Sequence, residues 1–260
     1  MIIKLGPAGS GGNTLKGINH IKELGLHAME VEFVRGIHMS NELAKEVGNL
    51  AETLKIELSV HAPYFINLNS AEKEKIEASK KRIITSCERA NYLGAKIIVF
   101  HAGYYGKISK EETFNNICEA IKDVISEIKK RKYNVKLAPE TMGKVNVFGK
   151  IDEIKKLMSE TGCGCCVDLA HIKALNHGRI DYNEILNKFH GDLHCHFSGI
   201  EYGEKGEKNH KITSSEEIHE LSKALLKSGR NITIINESPD PVGDSIRTKK
   251  ELEKLGYKFN

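Results

Sequence analysis

Histidine and acidic side chains recur in this chain where short apolar runs end. His61 follows the run at residues 56–60, and His101 follows that at 95–100. Glu140 follows 135–139, Asp168 and His171 follow 165–167, His194 and His196 lie in 192–196, and Glu237 follows 232–236. His210 sits in the polar segment after His196. Neutral imidazole and carboxylate are the usual nitrogen and oxygen ligands of divalent metals. A set this large could hold more than one ion, and a metal pair suits the displacement of one oxygen from a phosphodiester by another.

Each position also has a plainer reading. One histidine at a strand end is usually structural, but His61 and His101 occupy equivalent places, before Ala62-Pro63-Tyr64 and Ala102-Gly103-Tyr104. Glu140 closes an apolar run after Pro139, where an uncompensated carboxylate is costly, and Glu237 repeats the pattern on the last run. An ion pair with Lys or Arg would explain either alone. Asp168 suits a helix N-cap as well as a ligand. His194 and His196 share strand parity and so one face, with His196 nearer the rim and His194 one layer deeper.

Such residues converge only if the runs are strands of one sheet. Strand-like segments at 2–5, 28–33, 57–61, 96–101, 135–140, 164–168, 192–196 and 231–237 alternate with amphipathic ones, such as Ile76, Ile83, Ile84, Cys87 and Ile117, Ile121, Val124, Ile128. Ser40 and Ser109 open helices, and Gly94 and Gly256 close them. The alternation accounts for residues 1–260 as one α/β domain, a (β/α)8 TIM barrel, whose reacting groups gather at the carboxyl ends of the strands. Residues 175–181 and 198–213 interrupt the rhythm and read as loops of that rim. The glycine-rich stretch 6–14 lacks the Lys-Ser/Thr of a phosphate loop and reads as a tight turn into the first helix.

Composition narrows the class. The formal net charge of +4 permits an anionic partner without requiring one. No apolar run is long enough to span a bilayer, and the N-terminal residues read as a strand and not a signal peptide, which points to the cytoplasm. The six cysteines lack paired zinc-site spacing and read as buried thiols. Of the basic runs, 129–132 reads as a solvated helix end, whereas 205–211 is placed to meet phosphate.

In order and spacing, five motifs resemble the endonuclease IV family of apurinic/apyrimidinic endonucleases, a group of zinc-dependent α/β barrels. They are His61-Ala62-Pro63-Tyr64-Phe65-Ile66-Asn67-Leu68, Phe100-His101-Ala102-Gly103, Glu140-Thr141-Met142-Gly143, Cys166-Val167-Asp168-Leu169-Ala170-His171 and Asn236-Glu237-Ser238-Pro239. The resemblance implies a first metal on His61, His101 and Glu140. It implies a second on Glu140, Asp168, His196 and Glu237, with Glu140 as the catalytic bridge, and a third on His171 and His210. The family's third site adds an Asp two residues before its His. Lys208 stands there in this chain, and Glu207 is out of step by one. The resemblance further implies two or three Zn²⁺ ions, with Mn²⁺ possible, and a monomer cutting double-stranded DNA 5′ to abasic sites, where Arg35 and Tyr64 meet the DNA.

The rival within the same fold is a xylose isomerase-like sugar isomerase or epimerase with a single divalent metal. Glu140, Asp168, His196 and Glu237 would satisfy it, but it has no use for His61, His101, His171 and His210.

Overall fold

The computed structural model describes residues 1–9 and 11–259. Its chain order is β1 (Ile3–Pro7), α1 (Thr14–Glu23), β2 (Ala28–Glu32), α2 (Asn41–Leu54), β3 (Glu57–His61), α3 (Lys73–Leu93), β4 (Ile97–Phe100), α4 (Lys110–Arg131) and β5 (Lys136–Pro139). There follow α5 (Ile151–Thr161), β6 (Cys166–Asp168), α6 (Leu169–Leu175), α7 (Tyr182–Asn187), β7 (Leu193–Phe197), β8 (Gly199–Gly203), β9 (Gly206–Lys211), α8 (Ser215–Ser228), β10 (Ile232–Asn236) and α9 (Pro241–Lys254).

Parallel ladders join β1, β10, β7 and β6 in one arc and β2, β3, β4 and β5 in another. Parallel bridges from Ala8 to Glu30 and from Glu140 to Cys166 close the two arcs into the eight-stranded barrel expected from the alternation. The first seam needs Gly6: a Cβ there would lie 1.7 Å from the Ala28 carbonyl oxygen.

Local signals act as read. Ser40 and Ser109 accept from the amides of Leu43 and Glu112, each at 3.1 Å, and Gly94 closes α3 in the left-handed conformation. Most barrel strands are buried on both faces, so sidedness follows from register. Ser59 pairs with Glu30 and His61 with Glu32, while Cys166 pairs with His194 and Asp168 with His196. Register partners in a parallel sheet point the same way, so the polar residues share the barrel interior. The alternate residues Leu58, Val60, Leu193 and Cys195 join the apolar layer under the helices. All six cysteines are free and buried.

Two expectations change. Residues 198–213 form an antiparallel hairpin, β8–β9, and not an irregular loop. Its sequence is mostly Gly, Glu and Lys, with apolar alternation only at Ile200 and Tyr202, so it carries little strand signal. Residues 175–181 link α6 to α7 and line a neighbouring groove with His177 and Arg179, contributing nothing to the interior cluster. No described helix is long and apolar enough to cross a membrane.

His27, before β2, stacks on Phe259 with ring centroids 4.6 Å apart, and its Nδ1 has no hydrogen-bond partner. Burial, with Lys249, Lys22 and Lys4 adding to it, pulls the imidazole down to about 4. The folded value lies below the unfolded one of about 6.5, so this stabilisation is full above that pH and is lost as pH falls through 4. Because the ring is partly exposed, we expect about 1 kcal/mol after screening. His27→Phe keeps the stack and should flatten the acid limb of stability by that amount, measured by urea melts on either side of the window. An unchanged pH dependence would refute the assignment.

Candidate metal centre

At the carboxyl ends of the strands, β3 to β7 and β10 aim their terminal side chains at one point. Glu140, just past β5, is at the centre and 1% exposed. Its Oε2 lies 3.0 Å from His101 Nε2 and 3.5 Å from His61 Nε2. Its Oε1 lies 3.1 Å from His171 Nδ1 and 3.5 Å from His196 Nδ1. The two oxygens of one carboxylate thus face two different histidine groups. Glu237 Oε1 reaches His196 Nδ1 at 3.2 Å, and single donor atoms of Glu140, Asp168, His196 and Glu237 all lie within 4.8 Å of one another. The same holds for His61, His101 and Glu140.

Asp168 fills both roles considered for it. One oxygen accepts from the His171 amide at 2.6 Å as the N-cap of α6, while Oδ2 has no hydrogen-bond partner and turns toward the cluster. The cap therefore also aims the carboxylate.

Backbone carbonyls orient the rings. His61 Nδ1 donates to the Ala62 carbonyl at 2.7 Å, His171 Nδ1 to that of Thr141 at 3.0 Å and His210 Nδ1 to that of Glu237 at 3.1 Å. A carbonyl can only accept, so Nδ1 carries a proton and Nε2 is the nitrogen that remains for a cation. His210, on β9, brings its ring within 5.5 Å of His171.

The hairpin also changes the reading of Glu207. A register shift beside Glu201 and Tyr202 pairs Ile200 with His210 and Tyr202 with Glu207, leaving Lys208 as the extra residue. Glu207 is thereby on the face of His210, and its Oε2 lies 3.1 Å from His171 Nε2. The bulge puts Glu207 in step where simple counting put it out.

Sequence reasoning missed the other acidic residues here. Glu30 and Glu32 occupy alternate positions of β2 and face inward with Glu237, donor atoms again within 4.8 Å of one another. Two carboxylates two apart in an apolar strand were the available signal. Glu30 accepts from Ser59 Oγ at 2.6 Å and His194 Nε2 at 3.0 Å, so His194 is the deeper residue expected.

The rim residues are placed differently. Tyr64 is 51% exposed, and its ring stacks on His101 and meets His61 edge-on, centroids 5.4 Å apart in each case. Arg35 is exposed and lines a groove of about 410 Å³ with Phe65, Lys81 and Arg82. A larger groove, about 920 Å³, lies beside the cluster under the loops around Met142 and Ile172, so volume alone would misplace the site.

The donor set fits divalent metal. Burial alone would raise Glu140, but His101, His171 and His196 hold it well below the ordinary carboxylate range. Burial pushes Asp168 up to about 8 and Glu32 likewise to about 8. Burial would lower His61, yet Glu140, Glu32 and Glu30 carry it up to about 10. Both Glu140 oxygens, Asp168 Oδ2, both His196 nitrogens and Glu207 Oε2 are buried without a hydrogen-bond partner. Such a surplus of buried lone pairs is costly unless cations take them up. Mixed imidazole and carboxylate ligands suit Zn²⁺, with Mn²⁺ also accommodated.

Among known proteins, the model of the xylose isomerase-like TIM barrel family matches residues 18–256. An uncharacterised protein of Methanocaldococcus jannaschii is 40% identical over 254 residues, 92% of each chain. An apurinic-apyrimidinic endonuclease of Caenorhabditis elegans is 34% identical over 142 residues, 50% of this chain and 34% of that protein. Among solved structures, endonuclease IV from Thermus thermophilus superposes with TM-score 0.72 at 18% identity, covering 96% of this chain and 99% of that one. A D-psicose 3-epimerase from Clostridium cellulolyticum superposes with TM-score 0.65 at 14% identity, covering 99% and 92%. At such identities the structural likeness concerns the fold alone. The matched family model, spanning nearly the whole chain, leads to one conclusion: this chain belongs to the xylose isomerase-like TIM-barrel family.

Proposed function

We propose that this chain hydrolyses the backbone of double-stranded DNA on the 5′ side of abasic sites, as a monomer holding two or three Zn²⁺ ions. The observation that supports this most is the divided Glu140 carboxylate, with Oε2 toward His61 and His101 and Oε1 toward His171 and His196. A mononuclear sugar epimerase needs only Glu140, Asp168, His196 and Glu237, a set that is also present here. It leaves His61, His101, His171, His210 and Glu207 without a purpose.

In this reading His61, His101 and Glu140 hold one ion, and Glu140, Asp168, His196 and Glu237 hold the second. His171 and His210 hold a third, with Glu207 in the place of the family's Asp. When bound, adjacent zinc ions acidify water and neutralise charge on the attacked phosphate. Glu140 would be shared by the first two positions, and the carbonyls of Ala62, Thr141 and Glu237 take the Nδ1 protons of His61, His171 and His210, leaving each Nε2 for a cation. Tyr64 and Arg35 meet the DNA, beside exposed Phe65 (68%) and Tyr104 (48%), which offer apolar faces to an opened base step. Lys205, Lys208 and Lys211 of the hairpin supply charge for phosphates.

Two measurements test the proposal together: elemental analysis of metal-replete protein, and incision of an end-labelled abasic duplex. We expect at least two ions per chain and a nick 5′ to the lesion. One Mg²⁺ or Mn²⁺ per chain, no nick, and interconversion of ketose epimers would establish the rival.

A further inference from the structure

His196 lacks the backbone hydrogen bond that orients its neighbours. His61, His171 and His210 each give Nδ1–H to a backbone carbonyl and keep Nε2 for the cluster or the hairpin face. His171 Nδ1 also lies 3.1 Å from Glu140, but only His196 Nδ1 faces Glu140 and Glu237, at 3.5 and 3.2 Å, with no carbonyl holding it. Its Nε2 points across the barrel to β2, where Glu30 Oε1 lies at 2.9 Å.

Glu30 is fully buried in the middle of a strand, a costly position for a carboxylate. It is also anchored: Oε2 accepts from Ser59 and from His194, at 2.6 and 3.0 Å. These two donors leave Oε1 unengaged, and neither Oε1 nor either ring nitrogen of His196 has an aligned hydrogen-bond partner. A cation at Nδ1 requires the imidazole to carry its proton on Nε2, and the acceptor beside that nitrogen is Glu30 Oε1. Such an acceptor fixes the tautomer and ring orientation and raises the basicity of the ligating nitrogen.

We infer that Glu30 is a positioning residue for the metal centre: it takes the Nε2 proton of His196 and so sets the affinity of the position formed by Glu140, Asp168, His196 and Glu237. The inference rests on the proposed metal binding, because Glu30 touches neither substrate nor ion and acts through His196. Ser59 and His194 serve by holding Glu30 in register. The position on His61 and His101 draws its orientation from Ala62, with Glu30 acting on it only as a more distant charge, the last and smallest influence on His61.

The test is a Zn²⁺ titration of the full chain against a chromophoric competitor, with cadmium NMR to resolve the positions as separate resonances. Glu30→Gln keeps shape and removes charge. It should weaken the His196 position by about 10- to 100-fold and leave the His61 and His101 position within about twofold. Ser59→Ala keeps the charge, loses one anchor, and should weaken the same position by about threefold. Should Glu30→Gln fail to fold, Ser59→Ala decides by the same readout. Wild-type affinity at the His196 position in the folded variants, or equal losses at both positions, overturns the role. A wild-type chain that binds no metal overturns the proposed function itself, which the first titration reveals before any variant is made.

Discussion

In Glu140→Gln, incision of an abasic duplex is expected to fall by at least about a thousandfold, equivalent to about 4 kcal/mol of transition-state stabilisation. The amide matches the carboxylate in shape but lacks its charge, and its NH₂ group cannot bind a cation. Both halves of the cluster depend on this residue, since Oε1 and Oε2 face different histidines. The change should therefore reduce bound metal as well as rate, while circular dichroism stays that of the wild type. Single-turnover cleavage with elemental analysis measures both. A variant that cuts at near-normal rate with full metal would show that the carboxylate does not bridge.

Removal of metal is the second large effect. Asp168, Glu30, Glu32, Glu140 and Glu237 converge in the upper barrel, and no Lys or Arg is paired with any of them among the described residues. Without cations, histidines must share protons with these carboxylates, as the upward displacement of His61 to about 10 reflects. An ion present at a thousand times its dissociation constant stabilises the fold by about 4 kcal/mol, and two by about 8. For a chain of this size each kcal/mol moves Tm by about 2–4 °C, so chelation should lower it by about 15–30 °C. Calorimetry with a strong chelator, followed by zinc repletion, measures the loss and its reversal. A shift below about 5 °C would mean that the histidines satisfy the carboxylates unaided.

Much of the site was legible because its chemistry is local. His61, His101, Glu140, Asp168 and Glu237 each end an apolar run, and a barrel strand must deliver such a residue to its rim. His194 and His196 share one face by parity, and their order along residues 192–196 places His196 nearer the rim. Glu207 stands one residue out of step with the family's motif, and only the bulge at Lys208 shows how it comes onto the face of His210. Tyr64 was read as a DNA contact, and only the fold shows that it also lies over His101.

The amino-acid order by itself determined the barrel and most of the polar ring, because both follow from periodicities of two and 3.6 along a continuous chain. Only tertiary structure decided which atom of each ring faces inward, that Glu140 divides its two oxygens, and that Glu30 meets His196 across the barrel. Those contacts join strands far apart in the chain, so their distances depend on how eight strands twist and close, which no local pattern encodes.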